Sequence, residues 1–390
     1  MSSDDIPRTR RARAVARTSS KVRFLELFFD LVFVLAFTQS TALIVEHPTW
    51  TGVLQGMFVV ALLWWAWSGF AWLTSAVDPE EGLVRVAMFG AMAALLIAAL
   101  SVPGAFDDRA LAFAIAYGVV RFAHIALFAL ASQDDADLRS SVASLSVSSG
   151  IGVGLIVTAS FLDGAAQLIL WVVAILIDFG GPALFGVAGW KIVPAHFAER
   201  YGLIIILVLG ESIVVLGVGV HLDLSAGLIT AAVLGVALAS ALWWAYFDVV
   251  AIVTEQRLTG KTPGREQNAF ARDSYPYLHL PMAAGIVLVA VGLENTLAHY
   301  DEPLSTIAAF ALQGGVALYL LAHVALRLRG ARSVNYHRLL IAIALVAAVP
   351  LGRELPAIWT LVAVNVVIWA MIAYETFSYG AARAQVRSRN

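Results

Sequence analysis

Long apolar segments separated by short polar breaks occupy almost the whole length of this 390-residue chain. A helix needs about 20 apolar residues to cross the hydrocarbon core of a bilayer. The composition agrees, because only 13% of the residues are charged, about half the fraction of a soluble domain. We therefore predict an all-α polytopic integral membrane protein with about twelve transmembrane helices. The predicted spans are residues 24–45, 50–76, 83–102, 108–131, 140–162, 166–189, 197–220, 225–253, 274–295, 303–327, 336–351 and 355–378.

Motifs of soluble enzymes are missing from the sequence. The chain has no cysteine, which excludes disulfides, thiolate metal sites and cysteine nucleophiles. It has no Walker A loop, no His-Glu-x-x-His pattern and no Gly-x-Ser-x-Gly elbow. We therefore predict no metal, no cofactor and no nucleic-acid partner, and the residues favour a protein that is not an enzyme. The expected partners are the lipid bilayer and a small ion or solute, and the sequence does not determine the oligomeric state.

Basic residues are distributed unevenly and predict the orientation. Residues 1–23 form a basic tail that is predicted to be disordered, and residues 381–390 form a second basic tail. Cytoplasmic loops of membrane proteins carry an excess of Lys and Arg. If the first tail is cytoplasmic, the outer loops keep only Arg109 and Arg353 among the basic residues, so both termini are expected in the cytoplasm. The inner loops then hold Arg139, Lys191, Arg257, Lys261, Arg265, Arg272, Arg327, Arg329, Arg332 and Arg338.

Similar short segments occur in the same order in both parts of the chain. The stretch that begins at Trp64 resembles the one at Trp243, the segment around His124 resembles that around His323, and Glu26 corresponds to Glu199. This order predicts two six-helix repeats, residues 24–190 and 191–380, in parallel topology. Chance similarity between aromatic-rich helices is the alternative.

Several carboxylates lie inside apolar spans, where an ionised group costs several kcal/mol unless it is paired, hydrated or protonated. Glu26 and Asp30 are one helical turn apart at the start of the first span. Glu211 follows Glu199 by about 18 Å along the seventh span, which places it near the bilayer midplane. In the inner half and at the midplane, six acids (Glu26, Asp30, Asp178, Glu199, Glu211 and Asp248) stand against three arginines (Arg85, Arg121 and Arg200).

This acidic surplus predicts a water-filled cavity that opens to the cytoplasm, selects cations or protons, and has Glu211 at its deep end. Plainer interpretations remain open. In these interpretations Glu26, Asp30 and Glu199 lie at the interface, where helix amino termini favour acids, and Asp248 faces solvent. The arginines lock helices together, and His124 is an interhelical hydrogen-bonding residue. The candidate site residues are Glu26, Asp30, Arg121, His124, Asp178, Glu199, Arg200, Glu211, Ser212 and Asp248.

Three motifs resemble the bacterial low temperature requirement A family, LtrA. They are the segment from Glu26 to Val34, the block His196-Phe-Ala-Glu199-Arg200-Tyr-Gly202 with Leu209-Gly210-Glu211-Ser212-Ile213, and the segment from Leu242 to Asp248. The resemblance implies a multi-pass protein of the bacterial inner membrane, in a family named for a growth defect in the cold. It implies no established substrate or reaction.

The charge pattern therefore carries the functional hypothesis. We expect a proton- or cation-coupled carrier of an ion or small solute. A cation channel is one alternative, and an intramembrane enzyme or a structural protein of lipid homeostasis is another.

Overall fold

The structure is a computed structural model that describes residues 21–80, 82–185, 187, 189–218 and 225–388. The tail arginines Arg8, Arg10, Arg11, Arg13, Arg17 and Arg389 lie outside these residues. The helices are α1 (Phe24–Glu46), α2 (Trp50–Ala76), α3 (Gly82–Ser101), α4 (Ala110–Ala131), α5 (Ala136–Ala159), α6 (Gly164–Phe185), α7 (Pro194–Val218), α8 (Ala226–Phe247), α9 (Val250–Thr259), α10 (Arg265–Arg272), α11 (Leu278–Ala298), α12 (Thr306–Ala331), α13 (Tyr336–Ala347), α14 (Ala357–Ser378) and α15 (Gly380–Arg387).

The all-helical, multi-pass class is confirmed. Within the described residues, ten helical segments are long and apolar enough to cross a membrane. Two predicted spans are not among those ten: α7 is a helix of 25 residues, and α13 has only 12. Large apolar side chains such as Leu176, Val233 and Val366 are exposed on the outer surface, as expected for helices that face lipid.

Helices α2, α11 and α12 form the centre of the bundle and are mostly buried. Glycines bring α11 and α12 into close contact, because a Cβ atom added at Gly285 would lie 2.6 Å from the carbonyl oxygen of Gly315. Small residues at such crossings are the usual means by which membrane helices approach each other. The two helices therefore pack backbone against backbone.

A π-helical turn, Asp273–Tyr277, connects α10 to α11. Pro276 and Pro281 have no backbone N–H, so they interrupt the regular hydrogen-bond ladder here. The indole Nε1 of Trp64 donates to the carbonyl oxygen of Pro276 at 2.8 Å, which ties this turn to α2.

Neighbour contacts follow the same order before and after residue 190. In the first part α1 packs on α2 and α3, and contacts then run from α3 to α4, α5 and α6 in sequence. In the second part α7 packs on α8 and α11, and contacts run from α11 to α12, α13 and α14. The contact of α2 with α6 in the first part corresponds to the contact of α8 with α14 in the second part. Between the two parts, α1 contacts α7 and α11.

Candidate functional site

Helices α1 and α7 face each other through polar side chains along their length. At one end Glu26 contacts His196 and Arg200, and further along Thr38 contacts Glu211. Both contacts join residues that are separated by about the same number of positions in the sequence. The two helices therefore run parallel and in register.

Arg200 is the centre of a buried polar cluster. Its guanidinium donates to Glu26 Oε1 at 2.9 Å, to Asp30 Oδ1 at 2.7 Å and to Thr74 Oγ1 at 3.3 Å. The indole Nε1 of Trp67 donates to the same Asp30 oxygen at 2.7 Å, and its ring lies 5.6 Å from the guanidinium carbon. Arg200 and both carboxylates are fully buried. The cluster therefore joins α1, α2 and α7 through charge-assisted hydrogen bonds.

Glu26 has further partners at the cytoplasmic end predicted for α1. The Nε2 atom of His196 lies 2.9 Å from Glu26 Oε1, and the backbone N–H of Arg23 donates to Glu26 Oε2 at 2.7 Å. The second contact caps the amino terminus of α1, where a carboxylate is favourable. Glu26 is therefore satisfied by a guanidinium, an imidazole and a helix end together.

Glu199 does not join this cluster, although Arg200 is its neighbour in sequence. Adjacent helical residues point in different directions, and Glu199 is exposed. Its Oε2 accepts a hydrogen bond of 3.3 Å from the backbone of Val22, and it lines a separate cavity of about 270 Å³ with Glu255 and Tyr275.

Asp178 and Arg121 form a second buried pair, which joins α6 to α4. Arg121 Nη2 donates to Asp178 Oδ1 at 2.7 Å and lies 2.5 Å from the hydroxyl of Ser149. Ser149 donates to Asp178 Oδ1 at 2.7 Å, and Tyr117 donates to Oδ2 at 3.1 Å. Both charged groups are buried. This arrangement agrees with the interpretation of Arg121 as a residue that locks helices together.

His124 is buried one turn beyond Arg121, among aromatic side chains. Its ring centroid is 5.5 Å from that of Phe70 and 5.0 Å from that of Phe128. A Cβ atom added at Gly69 would lie 2.8 Å from the imidazole, so this glycine makes room for the ring. No group of three or more His, Asp and Glu side chains that could hold a metal ion is found in the described part of the chain.

Asp248 is paired with the carboxyl-terminal segment. Arg383 Nε donates to Asp248 Oδ2 at 2.9 Å, and Arg387 Nη1 donates to Oδ1 at 2.8 Å. The segment predicted as a tail thus contains a helix, α15, that is attached to α8 through two arginines. A solvent-facing Asp248 is therefore not what the structure shows, since its side chain is only 11% exposed.

Glu211 lies in α7 opposite α1 and is fully buried. The Thr38 hydroxyl is 2.5 Å from its Oε2, whereas its Oε1 has no hydrogen-bond partner among the described residues. The hydroxyl of the neighbouring Ser212 is also buried and without a partner there. No described Lys, Arg or His forms an ion pair with Glu211, in contrast to the other buried candidate acids.

The expected acidic surplus is smaller than the sequence indicates. Arg383 and Arg387 neutralise Asp248, for which the sequence indicated no basic partner. The imidazole Nε2 of His196 contacts Glu26. Arg85 is exposed and contacts a backbone carbonyl instead of an acid. Among the buried candidate acids that the structure describes, Glu211 is left without a cationic partner. These partners lie in the first turn of α7 and in α15 near the carboxyl terminus. Position along the predicted spans could therefore not identify them.

Sequence reasoning missed several polar residues that belong to these contacts. Glu375 in α14 is buried and pairs with Arg338 Nη2 at 2.8 Å. The criterion that identified Glu211, a carboxylate inside an apolar run, applies equally to Glu375. Thr38 and Trp67 carry no charge, and only their position beside a carboxylate reveals their role.

Comparisons with known proteins identify the family of this chain. The chain is 28% identical over 317 residues to "Uncharacterized protein RA0937" of Rhizobium meliloti (strain 1021), an alignment that covers 77% of this chain and 76% of the relative. No solved structure matches the chain. The sequence profile of the family described as bacterial low temperature requirement A protein (LtrA) matches residues 21–373. Because this match covers most of its length, the chain belongs to the LtrA family.

Proposed function

We propose that this protein is a proton-coupled membrane carrier in which Glu211 takes up and releases the coupled proton. The observation that carries the proposal is the environment of Glu211, a fully buried carboxylate with Thr38 as its hydrogen-bond partner and no cationic partner in the described structure. A permanently ionised carboxylate would be costly at this depth, whereas one that exchanges a proton crosses between charged and neutral states.

The geometry of Thr38 supports proton exchange. Its hydroxyl lies 3.1 Å from the carbonyl oxygen of Val34 and 2.5 Å from Glu211 Oε2, yet a hydroxyl has a single proton to donate. Both contacts become hydrogen bonds when Glu211 is protonated and donates to Thr38, while Thr38 donates to Val34. When Glu211 is ionised, Thr38 donates to the carboxylate and no longer donates to the carbonyl oxygen of Val34. The hydroxyl thus accommodates both charge states of Glu211.

A row of carboxylates leads from Glu211 towards the carboxyl-terminal end of α1. Glu294 of α11 is close enough for its charge to act on Glu211, and Glu46 acts in the same way on Glu294. Glu211 is buried, Glu294 is half-buried and Glu46 is exposed. In the proposed carrier, this row is the path by which protons move between the surface and Glu211. It runs to the end of α1 opposite the predicted cytoplasmic side.

The proposal includes a bacterial inner-membrane location with both termini in the cytoplasm. The parallel packing of α1 and α7 supports α7 as the seventh span, because parallel helices need an odd number of crossings between them, and α2 to α6 would supply five. The cytoplasmic side of the termini follows from the distribution of basic residues. The same order of neighbour contacts before and after residue 190 supports two related halves of six spans, with α7 and α13 completing twelve. A link to growth in the cold would follow the family's name.

The test is a proton-flux measurement in proteoliposomes that contain a pH-sensitive dye. Inward gradients of Na⁺, K⁺ and phosphate are imposed one at a time, with the membrane potential clamped. Coupled transport is expected to change the lumenal pH in a saturable manner for the parent protein, and Glu211→Gln is expected to abolish this change. Glu302→Gln, at an exposed loop position, is the matched control and should retain it.

The outcomes separate the candidate functions. A pH change that persists in Glu211→Gln excludes the assigned proton carrier. Ion flux that moves no protons and does not saturate indicates a cation channel instead. Infrared difference spectra between acidic and neutral pH provide a second readout without a substrate. A band of a buried protonated carboxyl should be lost in Glu211→Gln and kept in Glu302→Gln.

A further inference from the structure

A cavity remote from Glu211 is lined by several arginines. It encloses about 480 Å³ between α8, α9, α12, α13 and the α14–α15 segment. Four arginines line it, namely Arg257, Arg327, Arg338 and Arg383, against one carboxylate, Glu375. Pockets of this size accommodate small organic molecules. The charge of the lining excludes a cation site and favours an anion.

The carboxylates nearby are already engaged, so they do not neutralise all of this charge. Glu375 accepts hydrogen bonds of 2.9 Å and 2.8 Å from Arg338 and lies 3.6 Å from Arg383. Arg257 forms no ion pair with a described carboxylate, and the charge that acts on it is that of Arg327. Two half-exposed or exposed guanidinium groups therefore face the same cavity without an acid between them.

His323 lines the same cavity and is buried. The residue is 3% exposed, its Nδ1 contacts a guanidinium N–H of Arg338, and its Nε2 has no partner among the described residues. A guanidinium only donates hydrogen bonds, so Nδ1 accepts and the proton of the neutral ring lies on Nε2. His323 therefore accepts a hydrogen bond from Arg338 in the cavity wall, and its own N–H is buried away from the cavity.

We propose that this cavity binds a phosphate ester through Arg257 and Arg327. Guanidinium groups match phosphate oxygens in geometry and charge, and phosphate accepts from several donors at once. The remaining wall includes Val250, Val253 and Leu326, which suit an apolar part of the same molecule. The shared chemistry fits a soluble organic phosphate or the headgroup of an anionic phospholipid. The site is independent of Glu211 and of the proposed coupling.

The experiment measures thermal unfolding of the purified full chain in a non-ionic detergent by tryptophan fluorescence. The probes are glycerol 3-phosphate and, in mixed micelles, phosphatidic acid. Sodium chloride of equal ionic strength and phosphatidylcholine are the respective blanks. The variants are Arg257→Gln and Arg327→Gln, and Arg265→Gln is the matched control, an exposed arginine at the same end of the bundle.

At least one probe should raise the melting temperature of the parent in a saturable manner. Arg257→Gln is expected to raise the Kd of that probe by about tenfold or more, since it removes a charge-assisted contact. Arg265→Gln should leave the Kd within about twofold of the parent value. A response to glycerol 3-phosphate identifies a soluble ligand, and a response confined to phosphatidic acid identifies a lipid.

Two results would overturn the site. One is the absence of any shift with both probes. The other is an equal loss of affinity in Arg257→Gln, Arg327→Gln and Arg265→Gln, which would mean attraction to the basic surface in general. If Arg257→Gln strongly lowers the melting temperature without ligand, the Kd of the probe is compared between the parent, Arg327→Gln and Arg265→Gln only.

Discussion

Replacing Arg200 by methionine tests whether the α1–α7 cluster holds the bundle together. Arg200 makes two charge-assisted hydrogen bonds, to Glu26 and to Asp30, at 2.9 Å and 2.7 Å. Each such bond contributes about 1.5–3 kcal/mol, or about 3–6 kcal/mol for both. Breaking a buried ion pair by removing one partner typically costs about 3–5 kcal/mol. We therefore expect Arg200→Met to lower the free energy of unfolding by about 4 kcal/mol.

The assay is unfolding of the purified protein in micelles with a rising fraction of SDS, followed by tryptophan fluorescence. Arg85→Met is the control, because Arg85 is exposed and contacts a backbone carbonyl, and its loss should stay below about 0.5 kcal/mol. Adding Glu26→Gln and Asp30→Asn to Arg200→Met removes the uncompensated charges. This triple variant should recover about half of the loss or more.

The reasoning fails if Arg200→Met costs less than about 1 kcal/mol, because the carboxylates would then be hydrated or otherwise satisfied. It also fails if the triple variant is no more stable than the single one. In that case packing of the arginine side chain, and not its charge, would explain the loss.

Three further predictions concern packing, a second ion pair and a helix cap. Gly285→Ala places a Cβ atom 2.6 Å from a carbonyl oxygen of α12 and should destabilise the protein by about 1–3 kcal/mol in the same SDS titration, whereas Gly150→Ala, with no atom within 4 Å, should not destabilise it. In a double-mutant cycle, Arg121→Leu and Asp178→Leu should each cost about 3–5 kcal/mol, and the double variant less than the sum; additive losses would contradict the ion pair. A hydrogen bond from Lys191 lowers the pKa of the Asp135 carboxyl. The Asp135 carboxylate therefore stabilises the folded protein fully at pH values above its pKa in the unfolded chain. This stabilisation is lost as the pH falls through the lower pKa of the folded protein. Asp135→Ala should therefore cost about 1 kcal/mol at neutral pH and progressively less in acid, as thermal unfolding across pH would show.

The helical spans could be predicted from the sequence because the bilayer imposes their length. Predicted boundaries such as 24–45 and 50–76 agree closely with Phe24–Glu46 and Trp50–Ala76. The region after residue 225 is less regular. The predicted span 225–253 covers α8 and only the beginning of α9. The proline-containing segment before α11 is a π-helical turn, which a tertiary contact with the distant Trp64 holds.

The candidate site could be predicted only in part. The cost of burying a carboxylate singled out Glu26, Asp30 and Glu211, and the structure places these acids along the parallel helices α1 and α7. Their partners could not be found in this way. Arg200 is 170 residues from Asp30 in the chain, and the arginines that pair with Asp248 come from the carboxyl-terminal segment.

Hydrophobic length and charge content, which are local properties, determined by themselves that this chain is a multi-pass helical membrane protein with carboxylates inside its spans. Only the tertiary structure decided which of those carboxylates are neutralised, because a buried charge is satisfied by whatever side chain the packing brings within about 3 Å, regardless of separation along the chain. Packing left Glu211 beside the uncharged Thr38 and placed Arg257 and Arg327 at one cavity. The physical contrast between these two places, one acidic and one basic, is a property of the folded bundle.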